Sequence, residues 1–302
     1  MKIILKRVIL LIAGVLAIAQ PSHSKIKIEN KVIYGQDGRV EIDHYPDASF
    51  VKKGNAVAIR VITKELTPLT SSYYSFPDIP IQDTRKLCDG IAFNDQPTSG
   101  DCTGFLVGPK TLVTAGHCMR NLGECEKYSW VFNFKSNSTA FEDTQIYSCK
   151  SIISQKYTNI DYDFDDFAVI ELDREVEAAT PLEFRKEGSI TKNTPLVVIG
   201  HPSGLPMKAA DGAVVKAEGK TVLNESLKRR PHFFAANLDT FGGNSGSPVF
   251  NQTTGLVEGI LVKGRQDYKF DSNYNCNRLN YVEDDNDEEY ELVMRINKVQ
   301  GL

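Results

Sequence analysis

The chain has 302 residues, 41% hydrophobic and 25% charged, with 22 Gly and 13 Pro; this excludes a disordered, collagen-like or low-complexity protein. A formal net charge of −4, with Lys and Arg scattered along the chain, excludes a basic face for wrapping nucleic acid. One large domain or two smaller ones are expected.

Met1 to Ser24 starts with Lys2, Lys6 and Arg7, continues through the apolar run Val8 to Ala19 and then turns polar. This is the layout of a secretory signal peptide, with an apolar run too short to span a membrane comfortably. Both Ala19 and Ser24 end in the small-residue pattern a signal peptidase reads, and cleavage after Ser24 is the favoured reading. Removal of residues 1–24 would bring the net charge from −4 to −7. No second apolar stretch approaches membrane length, so a secreted or periplasmic product without membrane insertion is expected. Lys25 to Lys31 is short and polar, a candidate propeptide over 25–31, which leaves 32–302 as the body of the protein.

The six cysteines, Cys88, Cys102, Cys118, Cys125, Cys149 and Cys276, are even in number and lack CxxC spacing. In an exported chain this favours disulfides over a metal site, with 15 connectivities open.

Past Val32, short apolar runs alternate with turn signals: Val57 to Ile62, Phe105 to Val107, Thr111 to Thr114, Val131 to Phe134, Phe167 to Leu172, Leu196 to Ile199, Val249 to Phe250 and Leu256 to Val262. They are too short for helices and rich in Val, Ile, Phe and Thr, so the chain reads as all-β, barrel or sandwich. At the end, Leu292, Val293, Ile296 and Val299 fall on one helical face and predict a C-terminal helix. The seven acids of Glu283 to Glu291 lack the glycine turn and ligand order of a calcium loop and read as a solvated run before that helix.

Three segments stand out. Cys102 to Cys118 (CTGFLVGPKTLVTAGHC) reads as two strands around Gly108-Pro109, a hairpin that would bring the two cysteines together and anchor His117. Asp165-Asp166-Phe167-Ala168-Val169-Ile170 places an acid at the start of a buried strand. Gly242 to Pro248 (GGNSGSP) is a glycine-rich turn that exposes one serine. A serine hydroxyl needs a base within hydrogen-bond reach to become a nucleophile, a role an imidazole suits at neutral pH, and a buried carboxylate can hold its tautomer.

With "LVTAGHC" and "GGNSGSP" in the order His, Asp, Ser, the chain resembles the chymotrypsin-like serine proteases from about Val32 to the terminal helix. The resemblance implies two six-stranded antiparallel β-barrels with the boundary near Leu172 to Asn193, and a cleft between them. It makes Ser245 the nucleophile, His117 the general base and acid, and Asp166 the group that orients the imidazole. Asp166, rather than Asp161, Asp163 or Asp165, abuts the apolar strand in the family pattern. The Gly243 and Ser245 N–H groups would form the oxyanion hole. The reaction implied is acyl transfer to water on protein or peptide substrates, by a monomer, without metal or organic cofactor. A protease fold kept for binding, without turnover, is the rival.

Asn244 stands where the animal digestive members carry the aspartate that pairs with a new amino terminus. GGNSGSPVFN and Val32-Ile33-Tyr34-Gly35 instead look like the bacterial glutamyl-endopeptidase branch, which implies cleavage after Lys31. The substrate pocket is expected just before Ser245 and along Leu256 to Gly264. Asp239, six residues before Ser245, is the candidate floor of a Lys/Arg pocket. Thr240 matches the glutamyl branch and Lys263 and Arg265 could greet an acidic side chain, but Leu261 stands where that branch carries histidine. Lys/Arg is the favoured preference, with Glu/Asp second. His201, with no second ligand at metal spacing, is read as a structural turn residue. The resemblance pairs Cys102 with Cys118; the other four cysteines allow three pairings, of which the favoured one joins Cys125 with Cys149, closing a local loop, and Cys88 with Cys276, tying the late loop to the barrel.

Overall fold

The computed structural model describes residues 32–158, 165–218, 231–283 and 290–302. The expected signal peptide and propeptide, together with Asp161 and Asp163, lie outside the described residues.

Six strands form the first barrel: β1 Val57–Ile62, β2 Cys102–Leu106, β3 Thr111–Thr114, β4 Tyr128–Phe132, β5 Ile146–Tyr157 and β6 Asp166–Leu172. They close in the order β5-β6-β3-β2-β1-β4, every pairing antiparallel. The second barrel comprises β7 Pro195–Gly200, β8 Lys208–Glu218, β9 Phe233–Ala236, β10 Pro248–Asn251, β11 Val257–Lys263 and β12 Glu291–Arg295. Its order is β7-β10-β11-β12-β9-β8, closed by β7 on β8, with the short strand Arg39–Glu41 added to β8. The protein is therefore all-β, with two six-stranded antiparallel barrels; closure leaves no long unpaired edge.

The apolar runs fill these barrels because strands alternate their side chains between interior and exterior. Trp130, Phe105 and Phe167 are buried in the main core, and Leu196, Phe234, Val249 and Val293 form a second cluster in the second barrel.

The C-terminal helix is not formed. Glu291–Arg295 is strand β12, and only Ile296–Lys298 turns, as a single 3₁₀ turn. Residues 291–295 hydrogen-bond to β9 on one edge and β11 on the other, and all five are buried. A consecutive buried run suits a strand enclosed on both faces, and without it the second barrel would be open. Glu291, the last acid of the run read as solvated, is accordingly fully buried.

All six cysteines are paired, as Cys102–Cys118, Cys125–Cys149 and Cys88–Cys276. The first fastens β2 to the turn after β3. The last joins the segment after the short helix Ile81–Arg85 to a hairpin that precedes β12, formed by Tyr268–Asp271 and Cys276–Leu279.

Candidate active site

His117 lies in the 3₁₀ turn Gly116–Cys118 that leaves β3, and Asp166 is the first residue of β6. Antiparallel pairing of β3 with β6, in which Thr114 faces Ala168, brings the two ends together. Asp166 holds His117 at two points: the ring Nδ1–H donates to Oδ2 at 2.7 Å and the backbone N–H to Oδ1 at 2.9 Å. Because a carboxylate only accepts, this geometry puts the ring proton on Nδ1 and leaves Nε2 as the basic nitrogen. Both side chains are almost entirely buried, which shields the pair from water.

The neighbouring acid is occupied elsewhere. Asp165 accepts from Lys156 Nζ at 2.9 Å and His232 Nδ1 at 2.6 Å, since adjacent residues of an extended chain point to opposite sides.

Ser245 sits in the loop between β9 and β10, in the second barrel. The loop is tied to the first barrel through Thr103 in β2: Thr103 N–H donates to Ser245 O at 2.8 Å and Thr103 Oγ1 to Gly243 O at 2.8 Å. Within the loop, Asn244 N donates to Phe241 O and Ser247 N to Asn244 O, while Gly246 N reaches Leu261 O of β11. Gly243 has φ +102°, and a Cβ there would overlap the His201 carbonyl. Only glycine combines that dihedral with that close approach. Among the described residues the Gly243 N–H donates to no protein acceptor, so it is available to a developing oxyanion.

The remaining predicted pocket residues part company. Asp239 is buried with each carboxylate oxygen on a backbone N–H: Oδ1 accepts from Tyr34 N at 2.7 Å and Oδ2 from Gly38 N at 2.8 Å. It pins the segment after Val32, whose carbonyl also accepts from Thr240 N. Burial pushes the Asp239 carboxyl up to about 6, against the pull of these two N–H bonds. Leu261 packs in the second-barrel core with Leu238, Val249 and Val293. Lys263 is half-buried at the end of β11. Thr240 is buried, and its hydroxyl donates to Glu291 Oε2 at 2.8 Å. The burial of Glu291 is not legible in the sequence, because nothing local in the acidic run marks the acid that β12 carries inward.

His201 opens the turn Pro202–Gly204, its Nδ1 against Leu205 O at 2.9 Å and its ring stacked on Phe134. Full burial drives its pKa down to about 3, so it is a neutral structural ring. Among the described residues one group of metal-type donors is close together, Cys102, His117 and Cys118, and both sulfurs are consumed in their disulfide.

Two closed barrels, a histidine clasped by a buried aspartate and a serine on a glycine-bounded loop define a serine endopeptidase of the two-barrel class. The chain belongs to the trypsin-like peptidase domain family, whose model matches residues 102–260, just over half of its length. It is 25% identical to a glutamyl endopeptidase of Bacillus licheniformis over 244 residues, 77% of this chain and 73% of that protein. It is also 25% identical to an extracellular metalloprotease of Bacillus subtilis, over 62% of this chain and 56% of the relative. Among solved structures it is similar to a Glu endopeptidase (TM-score 0.47, 20% identity, 82% of this chain and 91% of that one). It is likewise similar to the VesB protease of Vibrio cholerae (TM-score 0.49, 14% identity, 88% of this chain and 65% of that one).

Proposed function

We propose that the protein is exported through residues 1–24, loses 25–31, and works from Val32 onward as a secreted endopeptidase. Ser245 attacks the scissile carbonyl, His117 Nε2 takes the serine proton and returns it to the leaving amine, and Asp166 supports the imidazolium that forms between the two steps. The Gly243 and Ser245 N–H groups receive the oxyanion. Water then hydrolyses the acyl-enzyme by the same proton route in reverse.

The observation that carries this reading is the two-point bond from His117 to Asp166, which fixes both ring orientation and tautomer. A protein kept only for binding would have no need of it. Lys or Arg before the cut is the favoured preference, since Leu261 packs in the core where a histidine would be needed to read glutamate. Similarity to a glutamyl endopeptidase and the buried Thr240 favour Glu or Asp as the second reading.

The test is digestion of a diverse peptide library by protein beginning at Val32, with Ser245→Ala in parallel, together with fluorophosphonate labelling. Cuts and label that both vanish in the variant support the reading. Folded protein that neither cuts nor takes the label would establish the non-catalytic alternative.

A further inference from the structure

We propose that Asp267 is a positioning residue for the oxyanion hole: its carboxylate holds the Gly242 N–H and so sets the direction in which the next N–H, that of Gly243, points. This deepens the peptidase reading above and rests on it.

The Gly243 N–H shares one peptide plane with the Gly242 carbonyl, so whatever fixes that carbonyl aims the N–H. Glycines at 242 and 243 leave the plane free to turn unless it is tied from outside. Both polar groups of Gly242 are tied. Its N–H donates to Asp267 Oδ2 at 3.0 Å in a buried bond, and its carbonyl accepts from Ser203 N. Asp267 immediately precedes the strand Tyr268–Asp271, and its neighbour Tyr268 completes the grip. The Tyr268 hydroxyl lies 2.6 Å from Ser203 Oγ, and the Tyr268 ring packs against Phe241 with centroids 5.4 Å apart. Ser203 is held at φ +55°, a conformation uncommon outside glycine that persists where the surroundings dictate it. In that conformation its N–H reaches Gly242 O, so two adjacent residues at the base of one hairpin hold Gly242 from both sides.

The hairpin is itself anchored. Asn280 N donates to Asp267 O at 2.9 Å and Asn280 Nδ2 to Gln266 O at 2.7 Å, and Cys276 is bonded to Cys88. Asp267 is buried, so its carboxylate accepts from the amide with little competition from water, and a charged acceptor makes the stronger bond. An oxyanion gains most from donors already in place when its charge appears, so the benefit of this clamp falls in the transition state rather than in substrate binding.

The test compares Asp267→Ala, which removes the acceptor, with Asp267→Asn, which keeps an oxygen in its place, on protein beginning at Val32. Asp267→Ala is expected to lower kcat by about 30-fold with KM within about 3-fold, a smaller loss than the about 100- to 1,000-fold that follows removal of a whole oxyanion donor. Asp267→Asn should recover about 10-fold of that. A peptide aldehyde built on a cleaved sequence, whose adduct with Ser245 places an oxyanion in the hole, should bind Asp267→Ala about 30-fold more weakly. Peptide affinity measured on Ser245→Ala and on Ser245→Ala/Asp267→Ala should agree within about 3-fold. Asp267→Glu, which keeps the charge and displaces the acceptor by one methylene, should lose about 10-fold in kcat and decides the matter if Asp267→Ala does not fold. An unchanged kcat in folded Asp267→Ala or in Asp267→Glu, a loss confined to KM, or no recovery in Asp267→Asn would overturn the assignment while the peptidase reading stands. A wild type that neither cuts nor takes the fluorophosphonate label would overturn both.

Discussion

Thr103 Oγ1 donates to the Gly243 carbonyl at 2.8 Å, a bond that runs from the first barrel to the loop carrying the nucleophile. The same hydroxyl accepts from His201 N at 3.2 Å, so one buried side chain holds two segments of the second barrel against β2. Thr103→Val removes the hydroxyl at nearly constant shape and leaves Gly243 O without its donor. Loss of such a buried partner destabilises by about 1–3 kcal/mol. The expected outcome is a lower unfolding midpoint and reduced kcat with little change in KM, because the oxyanion donors shift while substrate contacts remain. Thr103→Ser should restore both; denaturant unfolding and steady-state kinetics check this.

Asp166→Asn should keep the fold but present an N–H or a carbonyl to His117 in place of a carboxylate. The wrong tautomer and the unsupported imidazolium should lower kcat by about 10,000-fold. Rates on a peptide substrate, compared with a thermal melt of the same sample, separate this loss from unfolding.

Asp239 couples the amino-terminal segment to pH. Its folded pKa of about 6 lies above the ordinary carboxylate value, so the folded state holds the proton through the window from about pH 4 to about pH 6. Stability conferred by the protonated group is therefore present at low pH and lost as pH rises through about 6, by an amount on the order of 3 kcal/mol. Asp239→Asn cannot titrate. The unfolding free energy of the wild type, minus that of the variant, should fall across that window, whatever its constant offset; a difference that is flat with pH would refute the coupling.

The Cys88–Cys276 bond spans 188 residues of sequence and fastens two surface segments that are also tied by Cys88 N on Asn277 O and Asn277 N on Lys86 O. Replacing both cysteines by serine should lower the unfolding free energy by about 2–5 kcal/mol. Hydrogen exchange should rise first in residues 81–98 and 268–279, with the His117 turn unaffected because Cys102–Cys118 holds it.

Much of the first barrel is legible in the sequence because its strands are apolar runs between turns, as at Val57 to Ile62 and Phe167 to Leu172. Strand β5, Ile146–Tyr157, leaves no such trace: polar residues interrupt it and most of its positions are only partly buried, so its order comes from its partners β4 and β6. Strand β8 is likewise thin in large apolar residues, setting Ala, Gly and Val among polar positions. The terminal segment misleads because Leu292, Val293, Ile296 and Val299 fit a helical period, while the hydrogen bonds that decide the matter come from β9 and β11, far away in sequence.

The sequence by itself determined the class of protein: LVTAGHC, the Asp166 strand start and GGNSGSP are local motifs whose residue types suit the base, orienting acid and nucleophile proposed above. Only the tertiary structure decided which acid serves which task. Asp165 and Asp166 are adjacent in the chain but face different partners, and Glu291, read as part of a solvated run, is buried against Thr240, because burial and hydrogen-bond partners are set by strands that meet only when the barrels close.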